Sequence, residues 1–191
     1  MIFSGSLPKT LTIDAMTYPI NGDFRVMASF EIGMQQNPGN EKAVILDALC
    51  QFYPDGVPVN VEASVEKMLW FYRCGKEEDK ETQGAPRKAK QVYSFEEDEG
   101  YIFSAFLDQY GINLINVEFL HWWVFRKLFN GLKEDNEFVK IMGYRAVKID
   151  RKMAPDQRKF YRKMQEQYKL KDYRTEEQRE QAMIDAFASL F

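Results

Sequence analysis

The chain has 191 residues, 45% of them hydrophobic and 15% aromatic, a composition far from disorder and sufficient for one ample core. A formal net charge of −3 and a pI near 5.4 argue against a whole-chain nucleic-acid binder. No stretch approaches the ~18 uninterrupted apolar residues of a membrane span, and the N-terminus lacks the basic region and apolar run of a secretory signal.

The first predicted element is a hairpin. Residues 9–20 alternate with period two, and a two-residue turn at Asp14-Ala15 pairs Ile13 with Met16 and Leu11 with Tyr18. This puts those four residues on one face with Ile20. Ala15 is a poor residue for a primed turn, which wants positive φ, so a looser turn is expected. One hairpin cannot stand alone and must lie on helices.

Asp23 is placed to cap a helix running to about Met34, broken by Asn37-Pro38-Gly39-Asn40. Residues 41–53 read as a second helix with Ile45, Leu49, Phe52 and Tyr53 in a stripe, ended by Pro54. Asn60 caps a third, with Val61, Val65, Met68, Leu69 and Tyr72 on one face. Residues 75–91 carry charge of both signs, no aromatic residue, and Gly84 and Pro86. They read as a flexible linker, one that limited proteolysis cuts first.

Ser94 opens the second half with a capping box in which Glu97 reaches back, and Phe95, Ile102, Phe103, Phe106 and Tyr110 face the core up to a stop at Gly111. A central helix closed by Asn130-Gly131 follows, then a short helix around residues 138–144. Pro155 sits at a first-turn position. Residues 157–170 are amphipathic: Phe160, Tyr161, Met164 and Tyr168 form the stripe, and Arg158, Lys159, Arg162, Lys163 and Lys169 the basic face. Thr175 to Gln178 is another capping box, starting a helix whose apolar side holds Met183, Ile184, Phe187, Leu190 and Phe191.

Charge is unevenly spread. Residues 132–174 hold 13 Lys/Arg against 7 Asp/Glu, whereas residues 92–131 hold 2 against 6. Such asymmetry marks either a basic contact surface or two segments that neutralise each other in the fold. For the basic face the alternatives are a solvated surface over a core stripe, a site for an acidic protein partner, or a single-strand nucleic-acid site.

Chemistry-bearing residues are few. His121 is the sole histidine, which excludes a multi-histidine metal cluster, and no Ser or Cys stands in a recognised nucleophile motif beside it. A satisfied buried or boundary histidine is expected. Cys50 and Cys74 fit no ligand spacing and read as reduced thiols. The acid runs fit no EF-hand loop, and no glycine-rich phosphate loop is present. No enzyme activity and no cofactor are expected.

The stretch 119–145, FLHWWVFRKLFNGLKEDNEFVKIMGYR, organises the rest. On a helical wheel Val117, Leu120, Trp123, Val124 and Leu128 share one face, and Phe119, Trp122, Phe125 and Phe129 the opposite one, with Arg126 at its border. A helix apolar on two sides must be covered on two sides. The first face is expected in the core. The second is either packed internally or, together with Phe187 and Phe191, the candidate partner-binding surface, because interface cores favour this mixture of aromatic residues. The C-terminal helix is expected either to cover that face or to pair with another subunit.

HWWVFRKLFNGL with FVKIMGYR resembles the signature of the bacteriophage "gene product fifteen" family. FYRCGK, QVYSFEED, YIFSAFLDQYGINL and RKFYRKM fit it too, as does INGDFRV, where the family usually has Asn or Thr at the position of Gly22. The resemblance spans roughly residues 7–170 and implies a place in the tail module of siphophages and prophages. It implies a tail assembly chaperone that binds the tape measure protein or the major tail protein, made in the host cytoplasm and absent from the mature virion. The rivals are a structural virion component and a nucleic-acid binder using residues 145–174.

The expected fold is mainly α, a helical bundle-like protein with one small N-terminal β-hairpin. Its parts are a hairpin plus three-helix lobe (1–74), the linker (75–91), a lobe around the central aromatic helix (92–174), and the C-terminal helix (175–191). The two lobes are expected to pack as one unit.

Overall fold

The computed structural model describes residues 7–77 and 90–181. The chain is mainly α-helical. Strands β1 (Thr10–Ile13) and β2 (Met16–Pro19) pair antiparallel, with Ile13 opposite Met16 and Leu11 opposite Tyr18. The turn is tight rather than loose, because Asp14 and Ala15 both take positive φ, 48° and 63°, the geometry a two-residue primed turn demands. Asp14 Oδ2 also accepts from Asn60 Nδ2 at 3.0 Å, tying the turn to the next lobe element. Leu11, Ile13 and Ile20 are buried and Tyr18 is half-buried, but Met16 at the tip is exposed.

Helices α1 (Phe24–Gln36), α2 (Glu41–Phe52) and α3 (Val61–Tyr72) follow. Asp23 caps α1 by accepting from Arg25 N, and Asn60 caps α3 by accepting from Ala63 N. The buried face of α3 is Ser64, Met68 and Phe71, rotated from the stripe expected around Val61 and Val65. Bulk explains the rotation, since Phe71 fills the space between Phe52 and the second half of the chain.

Helix α4 (Glu99–Tyr110) starts five residues after Ser94, because residues 95–98 form a separate turn. Ser94 Oγ still accepts from Glu97 N. The carboxylate that reaches back to Ser94 N is Asp98, at 3.0 Å, and not Glu97. Gly111, at φ 66°, ends α4 with its own N–H on Leu107 O and the next one on Phe106 O, the paired closure that left-handed glycine permits.

Helices α5 (Trp122–Asn130), α6 (Glu137–Ala146) and α7 (Pro155–Gln167) follow. Residues 176–181 are helical, opened by a reciprocal box in which Thr175 N donates to Gln178 Oε1 and Gln178 N to Thr175 Oγ1. Gln178 Nε2 donates to Pro38 O at 2.9 Å, which anchors this helix at the α1–α2 corner. The linker expectation at 78–89, and Phe187 and Phe191, lie outside the described residues.

One continuous core joins both halves of the chain, from Leu11 and Phe24 through Phe71 to Phe106, Trp122 and Phe138. Among the described residues no helix is long and apolar enough to cross a membrane.

Candidate functional site

The central stretch is laid out differently from the wheel. Residues 111–121 are not helical, and α5 begins only at Trp122. Trp122, Phe125 and Phe129 are 0%, 1% and 5% exposed. The face expected to receive a partner is therefore the chain's own core. Rings stack through it: Tyr72 on Trp122 at 5.6 Å, Trp122 on Phe125 at 5.7 Å, and Phe125 on Phe24 and Phe106 at 4.8 and 5.0 Å. Residues of α1, α3, α4 and α6, with Phe95, pack against this side, and aromatic stacking adds to the burial gained.

The opposite face is only partly buried at Leu120, Trp123, Val124 and Leu128. Trp123 leans on Trp70 and Phe71 of α3, and its Nε1 donates to Phe71 O at 2.8 Å. Trp122 Nε1 donates to Tyr72 O at 2.9 Å. Both indoles thus pin the end of α3, from two sides of one helix. Of the expected aromatic surface, Phe119 alone is exposed among the described residues, at 57%.

His121 is buried and caps α5. Its Nδ1 accepts from Trp123 N at 3.1 Å, and Nε2 lies 3.2 Å from Pro8 O. The neutral tautomer with hydrogen on Nε2 satisfies both contacts. Gly22 packs under the ring, where a Cβ would stand 3.1 Å from His121 Cδ2 and Nε2. Any side chain at that position has to push the imidazole by a few tenths of an ångström.

Burial pushes the His121 pKa below its ordinary 6.5, against a smaller upward push from the Pro8 carbonyl. The folded state therefore binds a proton less readily than the unfolded chain, so stability falls as pH drops below 6.5. Protonation at Nδ1 also removes the acceptor that caps α5. His121→Asn keeps a capping oxygen and removes the titration. Urea midpoints measured between pH 7.5 and 5 should fall less steeply in this variant than in the parent. Equal slopes would show that His121 does not carry the dependence.

Beside the stack lies a half-buried polar knot. Tyr72 OH donates to Glu31 Oε2 at 2.7 Å, and Arg126 Nη1 donates to Tyr93 OH at 3.1 Å. Burial, with the Glu31 carboxylate adding to it, pushes both phenols up, Tyr93 to about 12. The Arg126 guanidinium stands 5.4 Å from the Trp122 ring and 5.7 Å from that of Phe129.

A second polar lock is fully buried and was not legible in the sequence. Asp98 and Arg145 meet in a two-armed pair, Nη1–Oδ2 2.6 Å and Nη2–Oδ1 2.9 Å. Arg145 also donates to Tyr168 O and Val92 O. The pair thereby binds the start of α4, the end of α6, the end of α7 and the residues before Ser94. Acidic and basic segments do neutralise each other here, and Lys171 N adds a bond to the Glu97 carboxylate.

The open surface lies elsewhere. An apolar cleft of about 610 Å³ runs between α1 and α4, lined by Ala28, Ile32, Phe95, Ile102, Phe103 and Leu114, with Phe24 and Phe125 at its floor. Arg25 shapes it: paired with Asp23, it donates from Nη2 to Leu114 O at 3.1 Å and Val117 O at 2.7 Å. Those bonds hold the 112–120 loop against α1, and Asp23 Oδ2 accepts from Leu120 N at its far end. The loop presents Ile115, 73% exposed, and Phe119 to solvent. Ile115 lines the cleft mouth.

The expected basic residues divide. Arg162, Lys163 and Lys169 line a wide groove at the end of α7, while Arg158 and Lys159 do not line it, Arg158 half-buried and Lys159 exposed. Cys50 and Cys74 are free thiols. Among the described residues no group of three His, Cys, Asp or Glu could hold a metal ion.

Fold and surface define the class: a mainly α-helical protein with an N-terminal hairpin and an apolar cleft between two of its helices. The family model described as Bacteriophage Gp15 protein matches residues 3–170, and the chain belongs to that family. It is a phage protein. No curated protein and no solved structure matches it.

Proposed function

We propose that this chain is a non-catalytic tail-assembly chaperone that holds an amphipathic helix of a tail protein in the α1–α4 cleft. The tape measure protein is the first candidate partner and the major tail protein the second, and the setting is the host cytoplasm before tails are complete. The tail assignment rests on the resemblance to the phage family. What carries the binding mode is the cleft itself, apolar along its length with Arg25 and Glu99 at its rim, the form that receives a helix with one apolar face. His121 supports a non-catalytic reading, because both ring nitrogens are committed to backbone groups.

Ile115→Glu tests this reading. The side chain is mostly exposed, so stability should change by less than about 0.5 kcal/mol. A charge at the cleft mouth should weaken co-purification with the tape measure protein roughly tenfold or more. Unchanged capture by a stably folded Ile115→Glu variant would remove the cleft from the account.

A further inference from the structure

The groove at the end of α7 has a volume of about 1230 Å³ and is a separate feature from the cleft. Its walls carry Lys90, Arg162, Lys163 and Lys169, all exposed and all without an ion pair among the described residues. Three other cations of the groove are already engaged, Arg145 by Asp98, Arg174 by Asp172 and Lys171 over the Tyr173 ring. Among the described residues the remaining carboxylate on the wall is Glu166, so a net positive field from this lining faces the opening.

Two observations decide what kind of anion fits. Single-stranded nucleic acid is held by phosphate contacts together with free aromatic faces on which bases stack. Tyr173 is the one aromatic residue lining the groove among the described residues. Its ring is covered by Lys171 Nζ at 4.7 Å, and its hydroxyl is held by Glu96. Among the described residues of the groove no aromatic ring stands free of such a partner. Met34 and Leu170 also line the groove, which gives apolar side chains a place among the cations. That mixture suits a polypeptide.

We propose that this groove docks an acidic polypeptide segment of a partner protein, one with apolar residues spaced among its carboxylates. The site stands on its own residues and does not depend on the cleft. Steering by complementary charge predicts an association that weakens as salt rises.

The test uses the full chain and a dye-labelled peptide of repeating Glu-Glu-Leu, followed by fluorescence polarisation, with a labelled oligothymidine of similar length as the rival probe. The peptide should bind, more tightly than the oligonucleotide, with affinity falling from low to physiological salt. The triple variant Arg162→Glu, Lys163→Glu, Lys169→Glu changes only exposed positions, so its circular dichroism and urea midpoint should match the parent. Its affinity for the peptide should drop roughly tenfold or more. Lys159→Glu, outside the groove, should change affinity by less than twofold. Tighter binding of the oligonucleotide, no binding of the peptide at low salt, or equal effects of the groove and Lys159 variants would each overturn the proposal.

Discussion

Trp122→Ala should destabilise the protein by about 3–5 kcal/mol, the range for truncating a fully buried large aromatic residue. The indole is wholly buried, stacks on Tyr72 and Phe125, and satisfies Tyr72 O. Its removal opens a cavity at the centre of the ring stack and leaves that carbonyl short of a partner. Trp123→Ala should cost less, about 1–2 kcal/mol, since the ring is only partly buried and its loss removes one hydrogen bond and part of an apolar contact. Urea denaturation of both variants measures the difference. Equal losses, or a larger loss at Trp123, would contradict the placement of α5.

The second large effect belongs to the buried ion pair. Asp98→Asn leaves the Arg145 guanidinium inside the protein without its counter-charge, and breaking such a pair costs about 3–5 kcal/mol. Asp98 is 1% and Arg145 6% exposed, so water cannot substitute. Arg145→Met should cost a similar amount, because Asp98 is then stranded. Combining Asp98→Asn with Arg145→Met should cost clearly less than the sum, since neither charge is then left buried without its partner. Additive losses in the double variant would mean that the two side chains act independently.

Much of the local structure could be read from the chain. Hairpin register followed from period-two alternation, and the caps at Asp23, Asn60 and Thr175 from side chains that accept backbone hydrogens. Gly111 stopped α4 as a left-handed glycine should. The central stretch was recognisable as the organiser, and of the two readings of its aromatic face internal packing holds for Trp122, Phe125 and Phe129, while the face expected in the core is the less buried one. The reason is the start of α5. Its cap is His121, an uncommon capping residue, and no Ser, Thr, Asp or Asn marks the boundary. Extending the wheel back to Val117 made Phe119 appear to continue the Trp122–Phe125–Phe129 row, whereas it sits on a loop. Two apolar faces did require cover on both sides: α1 and α4 pack on the inner one, and the end of α3 touches both through Tyr72 on Trp122 and Trp70 on Trp123.

Long-range pairings left no local trace. Asp98 stands in a run of four acids, three of them at the surface, and nothing in the spacing distinguishes the one that meets Arg145 across the fold. The cleft was hidden for a similar reason. Its walls come from α1, α4 and an irregular loop, and the loop's position depends on Arg25 reaching two carbonyls some ninety residues away. Helical periodicity carries no information about such a bond.

The most direct test of the cleft as the partner surface is hydrogen exchange on the free chain and on its complex with the tape measure protein. Binding in the cleft predicts slowed exchange in the 112–119 loop and the first turn of α4, with no change at the Val59–Val61 corner or along α7. Slowing confined to other segments, with the 112–119 loop exchanging as fast in the complex as alone, would contradict it.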